Sequence, residues 1–177
     1  MLRDQWGREI TYLRISVTDR CNLRCVYCMP PEGLIWQPHT AIMSYEEITA
    51  VARVAVEQGV RHIRLTGGEP LVRADLPDLV RMLAEIPGIE DLSLTTNATL
   101  LERYALELAE AGLKRVNISL DTLDPDKFSQ ITRGGSLERA LRGIEAAEQA
   151  MLLPIKINVV ALRGINDGEF LDLAKLT

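Results

Sequence analysis

At 177 residues, 47% of them hydrophobic, the chain can bury one sizeable core and reads as one domain. A formal net charge of -5 argues against general nucleic-acid or membrane-surface binding, which depends on a clustered basic face, and leaves open only a nucleotide in a local basic pocket. No apolar stretch approaches the ~20 residues that span a bilayer, and Met1-Leu2-Arg3-Asp4-Gln5-Trp6 lacks the apolar run of a signal peptide, so a soluble protein of the cytoplasm, where thiols stay reduced, is expected.

Short β-branched runs alternate with amphipathic stretches along the chain, the pattern of parallel strands joined by crossover helices. The strands are predicted from Tyr12 to Val17, His62 to Thr66, Leu92 to Thr96, Val116 to Leu120 and Ile155 to Ala161. Their near-continuous apolar character suits strands with helices on one face and packed side chains on the other. Ser44 and Glu47 form a capping box for a first helix that carries Ile48, Val51, Ala52 and Ala55 on one stripe and stops at Gly59. Leu76, Leu79, Val80 and Leu83 repeat the stripe before Pro87-Gly88, as do Leu101, Tyr104, Ala105 and Leu108 before Gly112, and Leu137, Ala140, Leu141 and Ile144 after it. Asp124 caps a helix start with Pro125 at its first position, and a last helix opens near Asp167 with Phe170, Leu173 and Ala174. The fold class is therefore α/β, a partial barrel of about five β/α units.

Chemistry in such a barrel sits just past the strands. After the first strand come the only three cysteines of the chain, in Cys21-Asn22-Leu23-Arg24-Cys25-Val26-Tyr27-Cys28. Three thiolates can bind three irons of a 4Fe-4S cubane and leave the fourth open, whereas an electron-transfer cluster normally has four cysteines. Blander uses are a zinc site completed by His39 or His62, a redox pair of Cys25 and Cys28, or a disulfide that strands one thiol. After the second strand, two glycines in Thr66-Gly67-Gly68-Glu69-Pro70 let backbone approach a ligand. His39 and His62 otherwise read as surface or strand-edge residues, and Trp6 and Trp36 as packing where the chain enters the first strand. The charge run from Glu102 to Glu110 reads as a solvated helix face.

The cysteine spacing, with an aromatic before the last, resembles the signature of the radical S-adenosylmethionine family, and the Gly-Gly segment resembles the one that receives the methionine amino group there. The resemblance implies a 4Fe-4S cluster on Cys21, Cys25 and Cys28. Its open iron would chelate S-adenosylmethionine, and an external electron donor would trigger cleavage to a 5′-deoxyadenosyl radical. The phrases from Leu13 to Cys21, Tyr27 to Pro30, Arg64 to Pro70, Leu94 to Asn97, Asn117 to Asp121 and Ile155 to Asn158 are similar to the GTP 3′,8-cyclase family of molybdenum-cofactor biosynthesis.

That likeness implies GTP as substrate, Tyr27, Gly68 and Ser119 against S-adenosylmethionine, and Arg14, Arg64, Thr95 and Lys156 against GTP. Arg and Lys suit a triphosphate because they give charge-assisted hydrogen bonds to its oxygens. A cation in a strand needs an anionic partner, either a ligand or an acidic side chain. Glu69 and Asp121 are read as orienting groups rather than an acid/base pair, since hydrogen abstraction by a radical needs no base. The family's sixth β/α unit and the second cysteine triad that holds another 4Fe-4S cluster are not in these residues, which predicts an impaired half-length cyclase, and a homodimer is in keeping with the family. Ala98 follows Asn97 where a glycine is usual in the family, which predicts a shifted loop after the third strand. Another radical S-adenosylmethionine reaction, in peptide or cofactor maturation, or a non-catalytic cluster-binding fragment, are the alternatives.

Overall fold

The computed structural model describes residues 1–176. Five strands, β1 (Tyr12–Ser16), β2 (His62–Thr66), β3 (Asp91–Thr96), β4 (Arg115–Ser119) and β5 (Lys156–Asn158), form one all-parallel sheet in which each strand pairs with the next. Sequential order without a reversal is that of a β/α barrel segment, not of a doubly wound sheet. The helices are α1 (Tyr45–Glu57), α2 (Leu76–Ala84), α3 (Leu101–Glu110), α4 (Pro125–Thr132), α5 (Leu137–Gln149) and α6 (Phe170–Ala174).

The local signals behave as their chemistry requires. Ser44 and Glu47 close the capping box at α1, and Gly59 ends the helix region with φ 108°. Asp124 accepts from Asp126 N and Lys127 N at the start of α4. Leu79, Leu83, Leu101 and Leu108 are sealed against Ile63, Leu65, Leu92 and Leu94 on the outer face of the sheet. Each such leucine contributes about 1.5–3 kcal/mol of burial.

Two stripe positions are corrected by the same geometry. Val51 is 50% exposed and Leu141 37% exposed. The buried arc of α1 is centred on Ile48, Ala52 and Val56, and that of α5 on Ala140, Gly143 and Ala147. At roughly 100° per residue, Val51 lies about 100° and Leu141 about 130° from the middle of its arc.

Strand five is shorter than predicted, three residues in place of seven. Pro154 has no N–H for a ladder, and beyond Asn158 the chain is drawn off the sheet: Val160 N donates to Asp121 Oδ1 at 2.8 Å, and Asn166 Nδ2 donates to Val160 O at 2.9 Å. The inner face of the sheet is polar rather than apolar. Arg14 and Ser16 of β1, Arg64 and Thr66 of β2, and Asn117 and Ser119 of β4 all stand on it, because alternate strand residues share a face and Leu13, Ile63, Val116 and Ile118 take the other. Trp6 is 74% exposed and packs nothing at the start of β1, while Trp36 is half-buried and His39 is exposed.

Candidate active site at the carboxyl ends of the strands

The loop from β1 to α1 carries the three cysteines, all with free thiols; Cys21 and Cys25 are half-buried and Cys28 is exposed. Buried Leu23 and Met29 anchor it. Its backbone is tied to the end of α4: Arg24 N donates to Thr132 O at 3.1 Å and Val26 N to Ile131 O at 2.8 Å. Arg133 closes the turn, its Nη1 donating to Arg24 O at 3.0 Å and Met29 O at 2.7 Å. The Tyr27 hydroxyl donates to Asp121 Oδ2 at 2.5 Å, joining the loop to the end of β4. On the β3 side, Asn22 Nδ2 donates to Thr99 Oγ1 at 2.9 Å and Asn97 Nδ2 to Asn22 Oδ1 at 3.0 Å.

Burial pushes the Cys25 thiol up to about 11 and raises that of Cys21, and like charge on neighbouring sulfurs adds to both shifts, from Cys28 for Cys21 and from Cys21 and Cys28 for Cys25. Tyr27 is raised as well, first by burial and then by the Asp121 carboxylate it faces. Among the described residues no three His, Cys, Asp or Glu side chains converge as ligands of a single metal ion. Three soft sulfurs carried on one loop fit a cluster that binds each sulfur through a different iron.

Gly67 and Gly68 lie against the base of this loop. Gly68 N donates to Thr18 O and Glu69 N to Arg20 O, both at 2.8 Å. A Cβ on Gly68 would meet Arg20 O at 2.2 Å, so only glycine allows the approach. The Gly68 carbonyl takes no backbone hydrogen bond among the described residues and is available to a ligand. Glu69, 1% exposed, accepts from Leu71 N at 3.1 Å, Thr96 Oγ1 at 2.7 Å and Asn97 N at 2.7 Å. Burial raises its carboxyl above the ordinary range while those three donors oppose the shift. Its oxygens are spent on holding the loops after β2 and β3 together, as an orienting role requires.

The residues expected to face the nucleotide share the inner face. Arg14 and Arg64 are register partners, while Thr95 and Lys156 both pair with Asn117. Like charges directly opposite one another repel. Even so, none of Arg14, Arg64 and Lys156 has a carboxylate partner among the described residues. Arg64 has only a long contact from Nε to Ser93 Oγ at 3.4 Å and the Tyr12 ring 5.4 Å away. Arg115, two residues before Asn117 on the same face, is by contrast neutralised by Asp91 through bonds of 2.9 and 2.6 Å. Ser119 is half-buried at the end of β4, two residues before Asp121. Sequence reasoning did not find Arg133 or the Asp121 link to Tyr27, whose partners lie 109 and 94 residues away in the chain.

A parallel β/α sheet with a cysteine loop after its first strand and a Gly-Gly turn after its second defines a class, and the comparison with protein families agrees: the Radical SAM superfamily matches residues 15–177, and the chain belongs to it. Its closer likenesses are proteins named GTP 3′,8-cyclase: 51% identity over 98% of the chain with that of Petrotoga mobilis, and 57% over 100% with that of Peptoclostridium acidaminophilum. The chain spans about half of these relatives, 54% of each. Among solved structures, methylornithine synthase superposes with a TM-score of 0.73 at 18% identity, over 94% of this chain and 49% of the other. SuiB of Streptococcus suis bound to S-adenosylmethionine superposes with 0.69 at 22% identity, over 93% and 37%. At those identities the likeness is one of fold. Membership of the superfamily implies a 4Fe-4S cluster and S-adenosylmethionine. No helix among the described residues is long and apolar enough to cross a membrane.

Proposed function

We propose that this chain forms the S-adenosylmethionine- and GTP-binding part of a GTP 3′,8-cyclase, a cytoplasmic lyase of molybdenum-cofactor biosynthesis. One observation carries the reading: Arg14, Arg64 and Lys156 gather on the inner face of the sheet, beneath the cysteine loop, with no carboxylate to neutralise them. In a chain of net charge -5 that is a seat for a polyanion, and identity above one half to proteins named for GTP supplies its chemical class.

Cys21, Cys25 and Cys28 would hold the cluster. Bound there, cluster and S-adenosylmethionine supply one-electron cleavage to a carbon radical that removes hydrogen from the substrate ribose, with the electron coming from an external donor. The residues of this chain bind and orient. The Gly68 carbonyl and Tyr27 face S-adenosylmethionine from the β1 and β2 side and Ser119 from the β4 side, while Arg14, Arg64, Thr95 and Lys156 fix the triphosphate deeper in the sheet. The guanine contacts and the second cluster of the cyclases would belong to residues beyond these, and a homodimer remains in keeping with the family.

Anaerobic reconstitution with iron and sulfide, reduction by dithionite and mass spectrometry for 5′-deoxyadenosine with and without GTP tests the reading. GTP binding by the reconstituted chain should fall about tenfold or more on Arg14→Ala, Arg64→Ala or Lys156→Ala, the loss of one charge-assisted contact each. Wild-type affinity in all three variants would remove GTP as the ligand of this face.

A further inference from the structure

Among the described residues only two buried side-chain nitrogens lack a hydrogen-bond partner, Arg115 Nη1 and Asn117 Nδ2. The first belongs to a guanidinium already held by Asp91 through its other two nitrogens. Asn117 is different: it is 1% exposed, and its buried Nδ2 makes no hydrogen bond to any described side chain or backbone group. A buried, unpaired amide donor is costly, and protein interiors rarely keep one without a use.

Its position states the use. Val116 and Ile118 on either side of it pack into the hydrophobic core, so Asn117 points to the inner face. There it stands in register between the Thr95 hydroxyl on β3 and the Lys156 ammonium on β5. A hydroxyl, an amide and an ammonium side by side make a row of donors, with Arg64 on β2 and Arg14 on β1 beyond it, neither with a carboxylate partner among the described residues. The groups that would normally satisfy an asparagine here, a carboxylate or a free carbonyl, are absent from that row.

We infer that Asn117 is a further substrate-binding residue, whose amide donates to a non-bridging phosphate oxygen of the bound nucleotide between the contacts from Thr95 and Lys156. The inference rests on the nucleotide reading above and adds to it a specific phosphate contact. The unmet donor is the preorganised half of that hydrogen bond, kept vacant in the protein's own bonding scheme.

Two variants test it on the full chain, with GTP and inorganic tripolyphosphate as probes in calorimetry, S-adenosylmethionine as the control ligand, and thermal melts to establish folding. Asn117→Ala should weaken both phosphate probes by about ten- to a hundredfold and leave S-adenosylmethionine affinity unchanged, since a hydrogen bond to a charged group is lost. Asn117→Asp keeps the shape and sets a carboxylate beside Lys156. Where the thermal melt shows it folded, it should bind the two probes more weakly still, so it decides the matter if the alanine variant does not fold. Parent-like affinity for both probes in either folded variant overturns the inference while leaving the nucleotide reading in place. Equal loss of S-adenosylmethionine and phosphate probes assigns Asn117 a structural role and overturns it too. A parent chain that binds neither phosphate probe overturns both readings together.

Discussion

Gly143 lies within α5, where helix propensity alone makes Gly143→Ala a gain of about 1 kcal/mol. The packing reverses the sign. A Cβ there would meet the Ala98 carbonyl oxygen at 2.1 Å and the Ala98 methyl at 3.2 Å. That carbonyl is fixed, since it accepts from Leu101 N at 3.0 Å while Ala98 N donates to Thr96 Oγ1 at 3.0 Å. Overpacking of this kind costs about 1–3 kcal/mol, so Gly143→Ala should lower stability by about 2 kcal/mol in urea denaturation, and a rise in midpoint would mean the loop after β3 yields. Ala98 itself sits at φ 61°, so the step that lacks the usual glycine adopts the left-handed conformation all the same. The strain costs about 1–2 kcal/mol. Replacing it by glycine returns that but gives up about 0.5–1 kcal/mol of chain entropy and about 0.8 kcal/mol for a buried methyl. Ala98→Gly should therefore be neutral within about 0.5 kcal/mol, which explains how an alanine can stand there.

The element that most affects the cysteine loop is α4, which contributes no ligand. Its end supplies the Ile131 and Thr132 carbonyls and the Arg133 guanidinium that fix residues 24–29, and its start depends on the Asp124 cap. Asp124→Ala should cost about 1 kcal/mol of stability. Arg133→Ala frees two loop carbonyls at once. In the reconstituted protein it should speed loss of iron to a chelator several-fold, followed by the bleaching of cluster absorbance; a rate equal to the parent's would show that the cysteines need no such wall. The Asp124 cap and the cysteine and Gly-Gly motifs were legible in the sequence because each is a local pattern with its own chemistry. Arg133 was not, because an arginine past a helix end looks solvated until the fold brings a loop from more than a hundred residues away beneath it. The same limit hid the polarity of the inner face. A strand reading Arg-Ile-Ser or Val-Asn-Ile is half apolar whichever side the helices cover, and only the assembled sheet shows the polar half gathered on one surface.

At the scale of the whole molecule, the sheet ends at β1 and at β5, and the β5 side is the apolar one. Ile144, Leu153, Pro154, Ile155, Ile157 and Leu176, with Glu148 as the one charged residue, line an open groove of about 580 Å³ there. Phe170 of α6 shares a neighbouring hollow with Ile157 and is 41% exposed, and Leu171 on the same helix is 81% exposed. An uncovered parallel edge beside such a surface favours pairing with another chain, and three residues of strand with Lys156 among them limit how well it can pair. The magnitudes decide between a stable and a weak contact. Leu153, Phe170, Leu171 and Leu176 are already 19–60% covered, so covering the rest of each yields about 1–2 kcal/mol, or about 4–8 kcal/mol together. Association costs about 4–15 kcal/mol in lost freedom. The balance predicts self-association that is weak and seen only at high concentration. The mass from static light scattering should rise with concentration, and Leu153→Lys combined with Leu171→Lys should hold it at the monomer value, because each change places a charge where the contact would have to be dry. A monomer mass for the parent across the whole range would show that Lys156 and the shortness of β5 already protect the edge.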